Sequence, residues 1–145
     1  MPFDSTYDDG DDAILIILEN SRATIQDGWA KRSYVGRIDG KYRYCLVAAY
    51  RNEYNKYYRN ARLNSASVAA DVHVADGIIG RLLLDQLPAI WQLDLGSTIA
   101  ERLITFNDAP LRRKQRIVKL FDSTIAAYIA AKYATQPRLE LIETD

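Results

Sequence analysis

Between Gly28 and Tyr50 the residue pattern changes three times, and that order leaves few architectures open. Gly28-Trp29 closes an apolar, helix-periodic segment. Asp39-Gly40 then supplies a type I′ hairpin signal, because both central positions of that turn take positive φ. At Cys45-Leu-Val-Ala-Ala-Tyr50 the pattern becomes that of a helix start. The spacing predicts strands at about 31–38 and 41–45, with Tyr42 and Tyr44 on one face of the second strand and Lys41 and Arg43 on the other. A lone hairpin is marginal in water, so helices from the rest of the chain must cover it.

Upstream, Ile14, Ile17, Leu18, Ser21 and Ile25 form one stripe of a helix capped by Asp11 or Asp12, with Gly28 as a left-handed terminator. Residues 1–10 read as a flexible acidic arm with little to bury. Downstream, the helix from Cys45 runs to about Tyr58, and a loop follows over 59–65. Residues 68–74 suit a helix or, at Val72-His73-Val74, a strand, and Gly77 and Gly80 interrupt the pattern. Ile78–Leu87 is helical, ended by Pro88. Trp91, Leu93 and Leu95 anchor a linker; Ser97 caps a short helix that Phe106-Asn-Asp-Ala-Pro110 breaks. Asp108 caps the last helix, which turns Val118, Phe121, Ile125, Tyr128 and Ile129 inward and reaches Ala134. The fold read this way is α+β, mostly helical, with four to five helices packed around one β-hairpin at about residues 31–45. A single globular domain spans 11–136, with a C-terminal tail at 137–145.

A chain of 145 residues is long enough for a hydrophobic core. The longest apolar run, Ala13–Leu18, is too short to span a bilayer, and the acidic N-terminus lacks the build of a signal peptide. The expectation is a cytoplasmic protein with no membrane partner. One cysteine excludes an internal disulfide framework, and one histidine beside it argues against a zinc site. With no phosphate-cradling Gly-rich loop, Ser-His-Asp signature or paired-Cys motif, no cofactor is expected. The net charge of zero conceals segregation: −6 over residues 1–28, +7 over 29–63, −4 over 64–110 and +3 from Leu111 onward. Such blocks either neutralise one another across the fold or offer a basic face to an anionic partner.

Cys45 is the most suggestive single residue, because a thiol at a helix N-terminus beside Lys41 and Arg43 gains thiolate character. His73 is the only histidine available as its base, with Asn107 or Asp108 to orient it. The simpler reading makes Cys45 a small buried hydrophobe. A second candidate is the Tyr-rich basic segment 41–62, containing Tyr42, Arg43, Tyr44, Arg51, Tyr54, Tyr58, Arg59 and Arg62. Interleaved aromatics and cations can stack bases and hold phosphates, whereas Tyr50, Tyr54, Tyr57 and Tyr58 on one helical face can equally serve the core. Arg112 and Arg113, with Lys114, Arg116 and Lys119, oppose the macrodipole at a helix N-terminus. Either the acidic 64–110 segment neutralises them or an anion binds there.

Together, the helix ending in Gly28-Trp29, the Gly-containing hairpin, Tyr44-Cys45-Leu-Val-Ala-Ala and Phe106-Asn107-Asp108-Ala-Pro resemble a family of small bacterial and phage proteins known only as domain of unknown function 6197. That family's pattern has a Gly-Trp helix end, a Cys-Leu-x-Gly-Ala-like helix start and Trp-Asn-Asp. Here Ala48 stands where Gly is usual, and Phe106 where Trp is usual. The resemblance covers about residues 13–130 and brings no activity with it, but it draws attention to Trp29, Cys45, Phe106, Asn107 and Asp108. Three functions are then open, in this order: a non-enzymatic binding or accessory protein using the basic Tyr-rich face toward a protein or anionic ligand, a cysteine-dependent enzyme or thiol-reactive protein centred on Cys45, and a nucleic-acid binder, the last disfavoured by the neutral charge.

Overall fold

The computed structural model describes the backbone of residues 2–61, 65–92 and 96–144, and the side chains of 13–59, 71–92 and 96–134. The described elements are α1 (Pro2–Asp27), β1 (Val35–Ile38), β2 (Lys41–Tyr44), α2 (Leu46–Ala61), α3 (Ser65–Asp85), α4 (Ala89–Gln92), α5 (Ile99–Asp108) and α6 (Lys114–Thr144). The α+β, mostly helical architecture is thus observed, with one antiparallel hairpin. Among the described residues, no helix is long and apolar enough to cross a membrane.

The core follows from the stripe on α1. Ile17, Leu18, Ser21 and Ile25 are fully buried, and Ser21 donates its hydroxyl to the Ile17 carbonyl at 2.6 Å, so that hydroxyl is not stranded in the stripe. Against this stripe pack the start of α2 (Leu46 to Tyr50), Ile79, Leu83 and Leu84 of α3, Leu103 and Phe106 of α5, and Ile117, Leu120 and Phe121 of α6. α1 and α6 run antiparallel. Arg22 pairs with Asp122, and Lys114 Nζ donates to the Gln26 carbonyl at 3.1 Å.

The hairpin turns where Asp39-Gly40 predicts, with φ of 53° and 75°, and its register pairs Ile38 with Lys41 and Val35 with Tyr44. Its strands are shorter than expected, because Arg32 takes a φ of 65° and breaks the extended run before Val35. Gly28 ends α1 for a different reason than a left-handed cap, since its φ is not positive. A Cβ there would stand 3.0 Å from the Tyr42 carbonyl oxygen and 3.2 Å from Arg43 Cγ, so glycine lets the hairpin lie on the helix end.

Other boundaries also moved. α3 is one helix through Gly77 and Gly80, which removes the strand alternative at 72–74. Gly80 lies against Ile99 Cγ2 and the Tyr50 hydroxyl, where a side chain would crowd α2 and α5. Thr98, not Ser97, caps α5 in a reciprocal box with Glu101, and the helix continues through Phe106-Asn107-Asp108 instead of breaking there. α6 starts at Lys114, so Asp108 closes α5 and does not cap α6. α1 extends back to Pro2, which suits a first helical position, and α6 continues past Ala134 and Pro137 to Thr144. The caps read at Asp11 and Asp12 and the anchors Leu93 and Leu95 lie outside the described side chains, as does Arg62.

Candidate functional site

The residues singled out by the sequence separate into two groups. The first converges on Asn107, the last buried residue of α5. Its Oδ1 accepts from the Trp29 indole N–H at 2.7 Å and from the Leu46 backbone N–H at 3.1 Å. Its Nδ2 donates to the Ala30 carbonyl at 3.0 Å and to Asp108 Oδ1 at 2.8 Å. An amide side chain offers two acceptor and two donor positions, and all four are used. Asp108 Oδ1 also accepts from the Arg32 N–H at 2.7 Å, which holds the left-handed residue that opens the hairpin. Asn107 thus ties the end of α1, the approach to β1 and the N-terminus of α2 to α5.

Cys45 stands at the same place. It caps α2, with Sγ accepting the Ala48 N–H at 3.4 Å, and its own N–H donates to the Tyr34 carbonyl at 3.0 Å. The thiol is 1% exposed. Burial pushes its pKa up, Asp108 nearby adds to this, and the Ala48 and Val47 backbone N–H groups and Arg51 oppose it without prevailing. The activated-thiol reading is therefore disfavoured against that of a small buried hydrophobe, because desolvation outweighs the helix end. Trp29, Cys45, Asn107 and Asp108 meet here from positions up to 79 residues apart, beside Phe106.

The chain belongs to the family of unknown function DUF6197. The family's model matches residues 10–127. No curated protein and no solved structure matches the chain. Ala48 donates its backbone N–H to the Cys45 sulfur, and Phe106 packs edge-on to Trp91 with ring centroids 5.3 Å apart.

His73 is not brought to this junction. It is exposed on α3 and lines an apolar recess of about 560 Å³ with Val74, Gly77, Ile78, Arg81 and Leu82. Cys45, His73 and Asp108 therefore do not assemble as a nucleophile, base and orienter. Among the described residues, no group of three His, Cys, Asp or Glu side chains is placed to hold a metal.

The Tyr-rich basic segment does not form one face. Tyr50 and Tyr54 are buried, and Arg51 pairs with Asp76 on α3, Nε to Oδ1 at 2.9 Å, with the Tyr54 hydroxyl donating to the same oxygen at 2.8 Å. Burial alone would lower the Arg51 pKa, but its bonds to Asp76 and Tyr34 hold it above the usual arginine range. Burial and then the bond to Asp76 also keep the Tyr54 phenol protonated. Here the acidic 64–110 segment does neutralise the basic one. Tyr58 is half-buried, edge-on to Tyr57 at 5.0 Å, while Arg59 is exposed at the end of α2. On the hairpin, Tyr42 is 54% exposed with Arg37 over its ring at 5.3 Å, Tyr44 packs on the core, and Arg43 is half-buried against Gly28.

The second group is the cationic start of α6. Leu111, Arg112, Arg113, Gln115, Arg116 and Lys119 line an open recess of about 360 Å³. Arg112 forms its wall. Its guanidinium carbon lies 3.8 Å from the Phe106 ring centroid and 5.4 Å from that of Trp91, and its Nε donates to the Phe106 carbonyl at 2.8 Å. Burial and then the neighbouring Arg116 charge lower the Arg112 pKa, and the group stays cationic. Among the described residues, Arg22, Lys41, Arg51, Lys56 and Arg81 each reach a carboxylate, whereas Arg113, Arg116 and Lys119 enter no ion pair, as is also true of Arg37, Arg43 and Arg59. The sequence pointed to these cations but not to Trp91 and Phe106 as the platform beneath Arg112, since no local spacing joins positions 91, 106 and 112.

Proposed function

We propose that this protein is a non-enzymatic binding protein that holds an acidic protein partner on the cationic recess at the start of α6. One observation carries the reading: among the described residues, Arg113 and Arg116 at the positive end of α6, and Lys119 one turn further on, gather without a carboxylate partner in a chain with no net charge. Like charges at that end cost a few tenths of a kcal/mol each, and a bound carboxylate relieves both the repulsion and the dipole. Arg112 supplies a rigid edge because stacking on Phe106 fixes its plane. This moves the binding surface from the Tyr-rich segment to residues 111–119, with Arg59 and the Arg37–Tyr42 pair outside it.

Fluorescence anisotropy with labelled poly-glutamate, titrated across salt, tests the reading. Binding should weaken as salt rises, because the attraction is between exposed charges. The triple variant Arg113→Ala/Arg116→Ala/Lys119→Ala should lose it while folding normally. Unchanged affinity in that variant would reject the recess. Tighter binding of a single-stranded DNA of equal charge, with a steeper salt slope, would replace the protein partner with nucleic acid.

A further inference from the structure

The recess at residues 111–119 has a counterpart in the same chain. Residues 4–12 carry five aspartates and no cation, and residues 111–119 carry five cations and no carboxylate. They are the most acidic and the most basic nine-residue stretches of the sequence. Each lies at the start of a long helix, α1 from Pro2 and α6 from Lys114. Positions 4, 8, 11 and 12 follow i, i+4, i+7, i+8 spacing and share one face of α1, beside the face that continues the Ile14–Ile25 stripe. That row is about 12 Å long, and the cationic row from 113 to 119 is about 9 Å. Aspartates at i and i+4 repel one another, as the Arg116 charge repels Arg112. A contact between the two rows relieves both. Other carboxylates are already engaged: Asp76, Asp85 and Asp122 hold Arg51, Arg81 and Arg22.

We propose, resting on the acidic-partner reading above, that the partner of the recess is a second copy of this chain, docked through residues 4–12 of its α1. The segment cannot serve its own recess. α1 and α6 run antiparallel, and the recess adjoins the far end of α1, where Lys114 Nζ donates to the Gln26 carbonyl at 3.1 Å. Arg22 pairs with Asp122, which already lies beyond Lys119 on α6. From Arg22, Asp12 is about 15 Å further along α1 and Asp4 about 27 Å. An ion pair needs its charged atoms within about 4 Å, so the contact forms between chains. Two copies lying antiparallel bring the start of each α1 to the recess of the other. The contact is then made twice and closes as a two-fold dimer. Single surface ion pairs contribute little, whereas five charges opposite five form a network whose strength falls with salt.

Sedimentation equilibrium of the full chain and two variants tests this. Wild type should approach twice its monomer mass at low salt and return to the monomer at high salt. The recess variant Arg113→Ala/Arg116→Ala/Lys119→Ala should stay monomeric at low salt. So should Asp4→Asn/Asp8→Asn/Asp11→Asn/Asp12→Asn, which clears the carboxylate row. Mixed together, the two should form a one-to-one dimer at higher concentration than wild type needs, because each keeps the site the other lacks. If the aspartate variant fails to fold by circular dichroism, a synthetic peptide of residues 1–12 takes its place and should return the wild-type dimer to monomer. A wild-type monomer at every concentration and salt overturns the proposal. If poly-glutamate still binds the recess of that monomer, the reading beneath stands and the acidic partner is a different protein; if it does not, both fall. A dimer that either folded variant leaves intact, or that the peptide does not disturb, also overturns it.

Discussion

The Asn107 junction and the cationic recess adjoin through Phe106 and Arg112, yet they treat polarity in opposite ways. Around Asn107 each amide donor and acceptor has a partner, and the groups are buried. Around Arg113 the charges have no carboxylate partner among the described residues: Arg113 and Lys119 are exposed, and Arg116 is half-buried with its guanidinium carbon 5.2 Å from the Phe106 ring centroid. Buried polar groups that satisfy one another specify an arrangement and have no capacity left for a ligand. Exposed charges left unsatisfied contribute little to stability and keep that capacity. Residues that look chemically rich in the sequence can therefore be the ones that hold the fold.

Asn107→Leu should give the largest effect. It strands the Trp29 indole N–H, the Leu46 N–H and the Ala30 carbonyl, at about 1–3 kcal/mol per group, so urea unfolding should show a loss of about 4 kcal/mol. A loss under about 1 kcal/mol would mean the junction does not hold these elements together. Gly28→Ala should cost about 1–3 kcal/mol in the same assay, because the nearest atom its Cβ meets, the Tyr42 carbonyl oxygen, is backbone and cannot yield as the Arg43 side chain can. Next comes Arg112→Ala, at about 1–2 kcal/mol for the stacking on Phe106 and the bond to its carbonyl. Arg113→Ala, one residue away and exposed, should stay within about 0.5 kcal/mol of wild type by thermal melting while weakening poly-glutamate binding. If the two arginines proved equal in stability, the boundary between junction and recess would move.

The smallest effect concerns Cys45 and pH. Its native thiol titrates above its unfolded value, so the stability from keeping it neutral is fully present below the ordinary thiol range. That contribution drains as pH rises through this range toward the higher native value. Alkaline unfolding should therefore come at slightly higher pH in Cys45→Ala once the overall stability difference is subtracted. Alkylation of the wild-type thiol should be slow until the protein unfolds. Rapid native alkylation would return Cys45 to the reactive group.

Several differences between the sequence expectation and the structure have a local cause. Thr98-Ile-Ala-Glu101 spells the capping box that Ser97 cannot complete, because position 100 is alanine. Gly77 and Gly80 weaken a helix in the sequence, yet α3 runs through both, and Gly80 is the point where it meets Ile99 and Tyr50. The charge blocks had no such signal. The blocks implied that 64–110 neutralises 41–62 or 111–119, and only the packing of α3 on α2 gave Asp76 to Arg51. Tyr50 and Tyr54 fell inside for the same reason, which divided the Tyr-rich face.

The order of helices around one hairpin, the buried stripe of α1 and the Asp39-Gly40 turn were determined by sequence alone, because helix periodicity and turn chemistry act between residues at most four positions apart. Tertiary structure decided that Gly28 is small for the sake of Tyr42, that Asp108 holds Arg32, and that Asn107 joins Trp29 and Leu46. Those contacts span 14, 76, 78 and 61 positions. A side chain's hydrogen-bonding capacity is written in its identity; which distant group uses it depends on how the helices pack.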